Sequence, residues 1–206
     1  MDRAFDFQSP LMGRFGLYGG TFDPIHRGHL YLAHTAMQAL NLDGVIFLPS
    51  GNPPHKQDRV LTPAEQRLAM LRLALAGEEG LFYSTWEMER PGPNYSYLTA
   101  EALTASLPKE TQLIFLVGGD SLADMPGWRC PERLLKAMPV AAVYRPGPSE
   151  EKLKASVQML GEDRITLIPC EGMDVSSSAV RAGALQDVPE QVADYIRREG
   201  LYGYGS

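Results

Sequence analysis

Two of the four histidines in this 206-residue chain, His26 and His29, lie three residues apart in Gly19-Gly20-Thr21-Phe22-Asp23-Pro24-Ile25-His26-Arg27-Gly28-His29-Leu30. Imidazoles so placed serve metal ligation, acid/base transfer or hydrogen bonding to an anion. Zinc needs three or four ligands, often spaced as H-E-x-x-H, and only Asp23 is near enough in sequence to join this pair. Plain surface or capping roles also stay open. The anion reading uses more of the segment. Gly19 and Gly20 let the backbone turn and approach a ligand, and Thr21 adds a hydroxyl and an amide. A helix starting here presents unpaired N–H groups and a partial positive charge. Gly28 in its first turn costs about 1 kcal/mol relative to alanine, which a phosphate lying against the backbone would explain.

A second cluster is Asp174-Val175-Ser176-Ser177-Ser178-Ala179-Val180-Arg181. One serine is enough to cap a helix. Three hydroxyls, with an arginine in the turn where the dipole disfavours a cation, suggest an anion. His55 and Lys56, in the proline-stiffened Asn52-Pro53-Pro54-His55-Lys56, would add an imidazole and an ammonium to the same rim. Gly118-Gly119-Asp120 is either a simple turn or a place where a ribose meets a carboxylate. Trp128, in a Pro/Gly-containing loop, is either core or a platform for a flat ring. G-x-G-x-x-G, a Walker lysine motif and G-x-S-x-G do not occur.

The elements that must hold these residues alternate along the chain. Strands are expected at 14–20, 44–50, 81–86, 112–117, 140–144 and 165–169, each a short apolar run. Leu30, Ala33, Met37 and Leu40 recur at helical spacing. Thr62-Pro63-Ala64-Glu65 reads as a capping box with proline at the first helical position, opening a helix to about Ala76. Further helices are expected at about 95–107, 131–137, 150–160, just after Ser176, and 189–199. Loops are expected over 50–61, 87–94 and 118–130. This alternation predicts a doubly wound, Rossmann-like α/β fold, mostly parallel, with helices on both faces. Ligands bind such sheets outside the carboxyl ends of the strands, and every cluster above follows a strand.

The length suits one domain, 1–206, with 1–13 as a peripheral N-terminal extension. A net charge of −6 argues against general polynucleotide binding, while a local basic pocket for small anions stays compatible with it. Two cysteines without metal-ligand spacing, no signal-peptide pattern and no membrane-length apolar run lead us to expect a cytoplasmic protein without membrane partners. Homo-oligomerisation stays open.

With His26-Arg27-Gly28-His29 and Ser176-Ser177-Ser178-Ala179-Val180-Arg181 both present, the chain resembles the HxGH nucleotidyltransferases. Within that superfamily it is most similar to the bacterial nicotinate-nucleotide adenylyltransferases. The similarity runs through GGTFDPIHRGHL, NPPHK, RPGPNYSYLT, LVGGDSL, PGW, the YRPG turn and the closing YIRREGLY, from about Gly16 to Tyr202. The resemblance implies transfer of AMP from ATP to nicotinic acid mononucleotide, with Mg²⁺ carried mainly on the ATP phosphates and no protein metal site. It implies His26, His29 and Arg181 as catalytic residues. It also implies ATP contacts from Gly19, Gly20, Thr21, His29, Gly118, Asp120, Ser176, Ser177, Ser178 and Arg181. The mononucleotide would meet His55, Lys56, Ser96, Trp128 and Arg129. The chain departs from the family at Asn94-Tyr95-Ser96, where S-Y-T is usual, at Leu98, often acidic, and at Arg129, commonly aromatic. The competing readings are transfer to another phosphate acceptor such as phosphopantetheine or glycerol phosphate, an aminoacyl-tRNA synthetase activating domain, and a nucleotide sensor without turnover.

Overall fold

The computed structural model describes residues 3–7, 12–53, 61–147, 150–172 and 174–205. Its centre is a six-stranded sheet: β1 (Gly13–Gly20), β2 (Gly44–Pro49), β3 (Leu81–Tyr83), β4 (Thr111–Gly118), β5 (Val140–Tyr144) and β6 (Ile165–Pro169). The order is β3-β2-β1-β4-β5-β6, and every neighbouring pair is parallel. Between them run α1 (Arg27–Leu40), α2 (Ala64–Leu75), α3 (Ser96–Ser106), α4 (Gly119–Asp124), α5 (Pro131–Ala137) and α6 (Glu150–Leu160), with α7 (Ser177–Arg181) and α8 (Glu190–Arg198) after β6. This is the expected doubly wound α/β architecture.

The strands show why the helices divide between two faces. Val45 and Phe47 of β2, Ile114 and Leu116 of β4, and Ala141 and Val143 of β5 point into a core closed by α1, α2 and α8. The intervening Ile46, Leu48, Phe115, Val117, Val140 and Ala142 point into a second core closed by α3, α5 and α6. A strand with both faces covered must be apolar throughout, and all six residues of β2 are buried. Each large aliphatic or aromatic side chain so placed contributes about 1.5–3 kcal/mol relative to exposure. No helix of the described residues is long and apolar enough to cross a membrane.

Three expectations need correction. Residues 118–130 are not all loop: α4 occupies the first part and a 3₁₀ turn, Met125–Gly127, follows. Gly-Gly-Asp is a poor helix start by propensity. The turn is held instead by burial of Leu122 and Ala123 and by the Ser156 hydroxyl donating to the Ala123 carbonyl at 2.9 Å. Thr62 makes no capping box, because Pro63 occupies the N-cap position of α2 and the Thr62 hydroxyl donates to the Tyr202 hydroxyl at 3.2 Å. Finally, part of the supposedly peripheral segment belongs to the body. The Phe5 N–H donates to the Tyr83 carbonyl at 2.6 Å, an isolated bridge joins Ala4 to Tyr83, and Phe7 is buried in the α3 face.

Candidate active site

The sheet order reverses direction between β1 and β4, where the chain leaves to opposite faces and a crevice must open. A cleft of about 540 Å³ lies there, at the carboxyl ends of β1, β4 and β5. Gly19, Gly20, Thr21, His26, His29, Gly118, Asp120, Ser96, Trp128 and Ser177 all line it. The structure thus brings together most of the residues singled out in the sequence. His55 and Lys56 lie outside the described residues.

The β1–α1 junction is built tightly. Phe22 takes a left-handed backbone conformation (φ 48°), which a non-glycine residue adopts at a cost, and its ring packs beneath Gly20 and against Tyr18, Phe47 and His29. A side chain on Gly20 would meet that ring at 2.8 Å. His26 forms the N-cap of α1, and its N–H donates to Nδ1 of His29 at 3.1 Å. The two rings stack at 3.7 Å between centroids, 25° from parallel. Because Nδ1 of His29 accepts a bond, the neutral ring carries its proton on Nε2, a donor suited to a phosphate oxygen. Nδ1 of His26 faces back in the sense of a capping box. However, the His29 N–H is already given to the His26 carbonyl at 3.0 Å, and Nδ1 has no hydrogen-bond partner among the described residues. Burial pushes the His26 imidazolium down to about 4, so the ring is neutral near pH 7. Stacked rings hold their nitrogens side by side rather than converging on one ion. No group of three or more His, Cys, Asp or Glu among the described residues could hold a metal.

Gly28, which lines the cleft, also has a packing reason. A side chain there would lie 2.5 Å from Cγ2 of Val175, so the glycine lets the segment before α7 pack on α1. The serines, too, have partners within the protein. The Ser176 hydroxyl caps α7 by accepting from the Ala179 N–H at 3.1 Å. Ser177 donates to the Pro24 carbonyl at 2.9 Å, and Ser178 accepts from Arg181 at 2.9 Å. The Arg181 guanidinium also donates to the Asp23 carbonyl at 2.5 Å. An anion is therefore not needed to account for this cluster: α7 is latched onto the histidine loop by its own hydrogen bonds.

Across the cleft, Trp128 packs edge-on to Phe115, and Ser96 stands in the first turn of α3. Arg129 lies outside the main cleft, its guanidinium 4.9 Å from the Tyr95 ring centre and donating to the Tyr95 hydroxyl at 3.3 Å. It lines a small neighbouring pocket that Ser96 and Trp128 share. Asn94 ties the loops below. Its Oδ1 accepts from the Ser50 hydroxyl at 3.1 Å and the Asn52 N–H at 2.7 Å, and its Nδ2 donates to the Glu87 carbonyl oxygen at 3.0 Å. Glu87 lines the cleft yet is only 6% exposed, and accepts from the Thr99 hydroxyl at 2.7 Å.

A family model, cytidylyltransferase-like, matches residues 17–183, which includes both the histidine loop and the latch. The chain belongs to this family. Among its curated relatives, a protein of Thermomicrobium roseum named "probable nicotinate-nucleotide adenylyltransferase" is 38% identical over 93% of this chain and 92% of its own length. One of the same name from Dehalococcoides mccartyi is 39% identical over 91% and 96%. The chain is thus also a member of the nicotinate-nucleotide adenylyltransferases within the cytidylyltransferase-like family. Among solved structures, the Plasmodium falciparum nicotinic acid mononucleotide adenylyltransferase complexed with NaAD matches with a TM-score of 0.73 at 20% identity. It covers 93% of this chain and 98% of that one, a likeness of fold.

Two of the departures from the family pattern gain a physical account. Asn94 uses both ends of its amide to join three loop segments, more bonds than a serine hydroxyl could make. Arg129 lays a guanidinium over Tyr95 where an aromatic is usual. Leu98 is simply 45% exposed. Residues that sequence reasoning passed over are Glu87, Asn94 as a knot and Arg145, which lines the cleft 4.0 Å from Asp174. Arg145 enters the sequence only within the YRPG turn, while Glu87 sits unmarked among charged neighbours.

Burial pushes the Glu87 carboxyl up to about 7, against the Thr99 hydrogen bond that pulls it down. The folded protein therefore holds this proton more tightly than the unfolded chain. That stabilisation is complete below the ordinary value of 4.5 and is lost as pH rises through 7. Glu87→Gln removes the dependence, so between pH 4.5 and 8 the variant should gain about 3 kcal/mol relative to wild type. Urea unfolding at a series of pH values measures it, and a pH-independent difference would contradict it.

Proposed function

We propose that this chain transfers the AMP part of ATP onto the phosphate of nicotinic acid mononucleotide, giving deamido-NAD and pyrophosphate. The observation that carries the reading is that one cleft is lined on one side by the stacked imidazoles at the α1 N-terminus and on the other by Trp128 and Ser96. The first side suits a triphosphate and the second a flat ring, so both substrates can meet at the switch in strand order. The names of the relatives point to the same acceptor.

A mononucleotide phosphate oxygen attacks the α-phosphorus, and the bond from that phosphorus to the bridging oxygen of pyrophosphate breaks. The attacking phosphate is already ionised at neutral pH, so no general base is required. The protein is asked for alignment and for donors to the negative charge that shifts onto the phosphates. Nε2 of His29 and the amides at the α1 N-terminus supply such donors. Gly20, Thr21, Gly118 and Asp120 shape the nucleotide side, with Asp120 placed to accept from a ribose hydroxyl. Arg181 and Ser177 keep the histidine loop against α7, and a triphosphate would draw the Arg181 guanidinium from the same position. Mg²⁺ enters this reading as part of the nucleotide. The described residues do not make a ligand set for a protein-held ion, and no step is assigned to one.

The test is to add ATP with either the acid or the amide mononucleotide and follow pyrophosphate release and product mass. The acid should react with far higher kcat/KM; equal rates, or none, would refute the proposal. Trp128→Ala should raise KM for the mononucleotide about tenfold while kcat changes less, because ring stacking at about 1–3 kcal/mol is made in ground and transition states alike. An unchanged KM would remove Trp128 from the subsite.

A further inference from the structure

The closing Gly200-Leu201-Tyr202 contains no group that the reaction above uses, yet it reaches the centre of the site. Gly200 and Tyr202 both take left-handed conformations (φ 62° and 57°), which turns the chain back after α8. The Tyr202 hydroxyl then donates to Oδ1 of Asp23 at 2.7 Å and accepts from Thr62 at 3.2 Å. Asp23 is 3% exposed and lies three residues before His26, in the loop whose Asp23 and Pro24 carbonyls receive Arg181 and Ser177. Arg67, only 1% exposed, donates to the Thr21 carbonyl at 2.7 Å and the Thr62 carbonyl at 3.0 Å, and feels the Asp23 charge. Two residues on, the Tyr204 hydroxyl donates to the Val180 carbonyl of α7 at 2.9 Å. The end of the chain is thus joined to both halves of the phosphate side, 179 residues apart in the Tyr202–Asp23 bond.

We propose that Tyr202 is a positioning residue for the adenylyl transfer: through its bond to the Asp23 carboxylate it sets the path of residues 21–26 and hence the placement of the two imidazoles. The inference rests on the reading under Proposed function. Tyr202 touches no reacting atom. Its ring keeps its packing in Tyr202→Phe, and only the hydroxyl is lost. Small misplacements of donors are costly in a reaction that depends on alignment, so a hydroxyl remote from the chemistry can show itself in turnover.

The experiment is a double-mutant cycle on the full chain with Tyr202→Phe, Asp23→Leu, which fills the same space without an acceptor, and the pair, reading kcat, KM for ATP and melting temperature, together with amide hydrogen exchange over residues 21–26. Tyr202→Phe should lower kcat about ten- to a hundredfold, leave KM for ATP within a few-fold and keep a cooperative melt. The pair should be no slower than the slower single variant, because both remove the same contact. Exchange in 21–26 should quicken in Tyr202→Phe whether or not turnover is assayed, which provides a readout that does not rely on the assigned reaction. A wild-type kcat in Tyr202→Phe, losses that multiply in the pair, a loss that follows unfolding alone, or unaltered exchange in 21–26 would each overturn the proposal. A wild-type protein inactive on both mononucleotides, with quickened exchange in Tyr202→Phe, would instead place the failure with the assigned reaction.

Discussion

His29→Ala is expected to lower kcat about 100- to 1000-fold, as loss of one preorganised transition-state donor costs about 2.7–4 kcal/mol. KM for ATP should change little, because the α1 amides and the rest of the loop still hold the ground-state triphosphate. The physical reason lies in how the ring is held. Its Nδ1 is fixed by the His26 N–H, it stacks on His26, and Phe22 meets it edge-on at 5.2 Å. A ring pinned on these sides has its Nε2 donor aligned before substrate arrives, so little reorganisation is needed as charge develops. Steady-state kinetics of the purified variant checks this. Near-normal kcat would remove His29 from the chemistry, and an equal loss in kcat/KM carried wholly by KM would make it a ground-state contact.

The second large effect concerns Arg67. Arg67→Met should destabilise the fold by about 3–5 kcal/mol, the range for breaking one side of a buried charged network. The change leaves the Thr21 and Thr62 carbonyls without their donor and takes one cation from beside the buried Asp23 carboxylate. A methionine fills most of the volume, so the loss is one of hydrogen bonding and charge rather than of packing. Denaturant unfolding measures it directly. A change under about 1 kcal/mol would mean that the network is satisfied in another way.

Much of the fold was legible because local rules and tertiary demands agreed. The runs at 140–144 and 165–169 and the helical patterns at 131–137 and 150–160 match β5, β6, α5 and α6 residue for residue. There the β-branched runs, the Pro131 start and the apolar spacing favour the same element that the sheet requires. The place of the cleft was legible too, since parallel alternation forces ligands to the strand ends. Failures came where a residue answers to a distant partner. Gly119 and Asp120 read as loop because the helix they start is held by α6, and the packing of Gly28 on Val175 was hidden because the two are far apart in sequence. The partners of the three serines within the protein, a cap, a carbonyl and Arg181, were equally hidden in the sequence. Arg67, Glu87 and Tyr202 have no local signature at all. Their meaning lies in bonds to Thr21, Thr99 and Asp23, which appear only once the chain has folded.

The central claim is spatial: the carboxyl end of the sheet, at the β1/β4 switch, receives the triphosphate. Hydrogen–deuterium exchange with saturating ATP and Mg²⁺ tests it most directly. Protection should concentrate in residues 19–30 and 118–122 and around α7. Protection centred on the opposite end, at residues 41–44, 108–112 and 137–140, or none at all under saturating nucleotide, would contradict it.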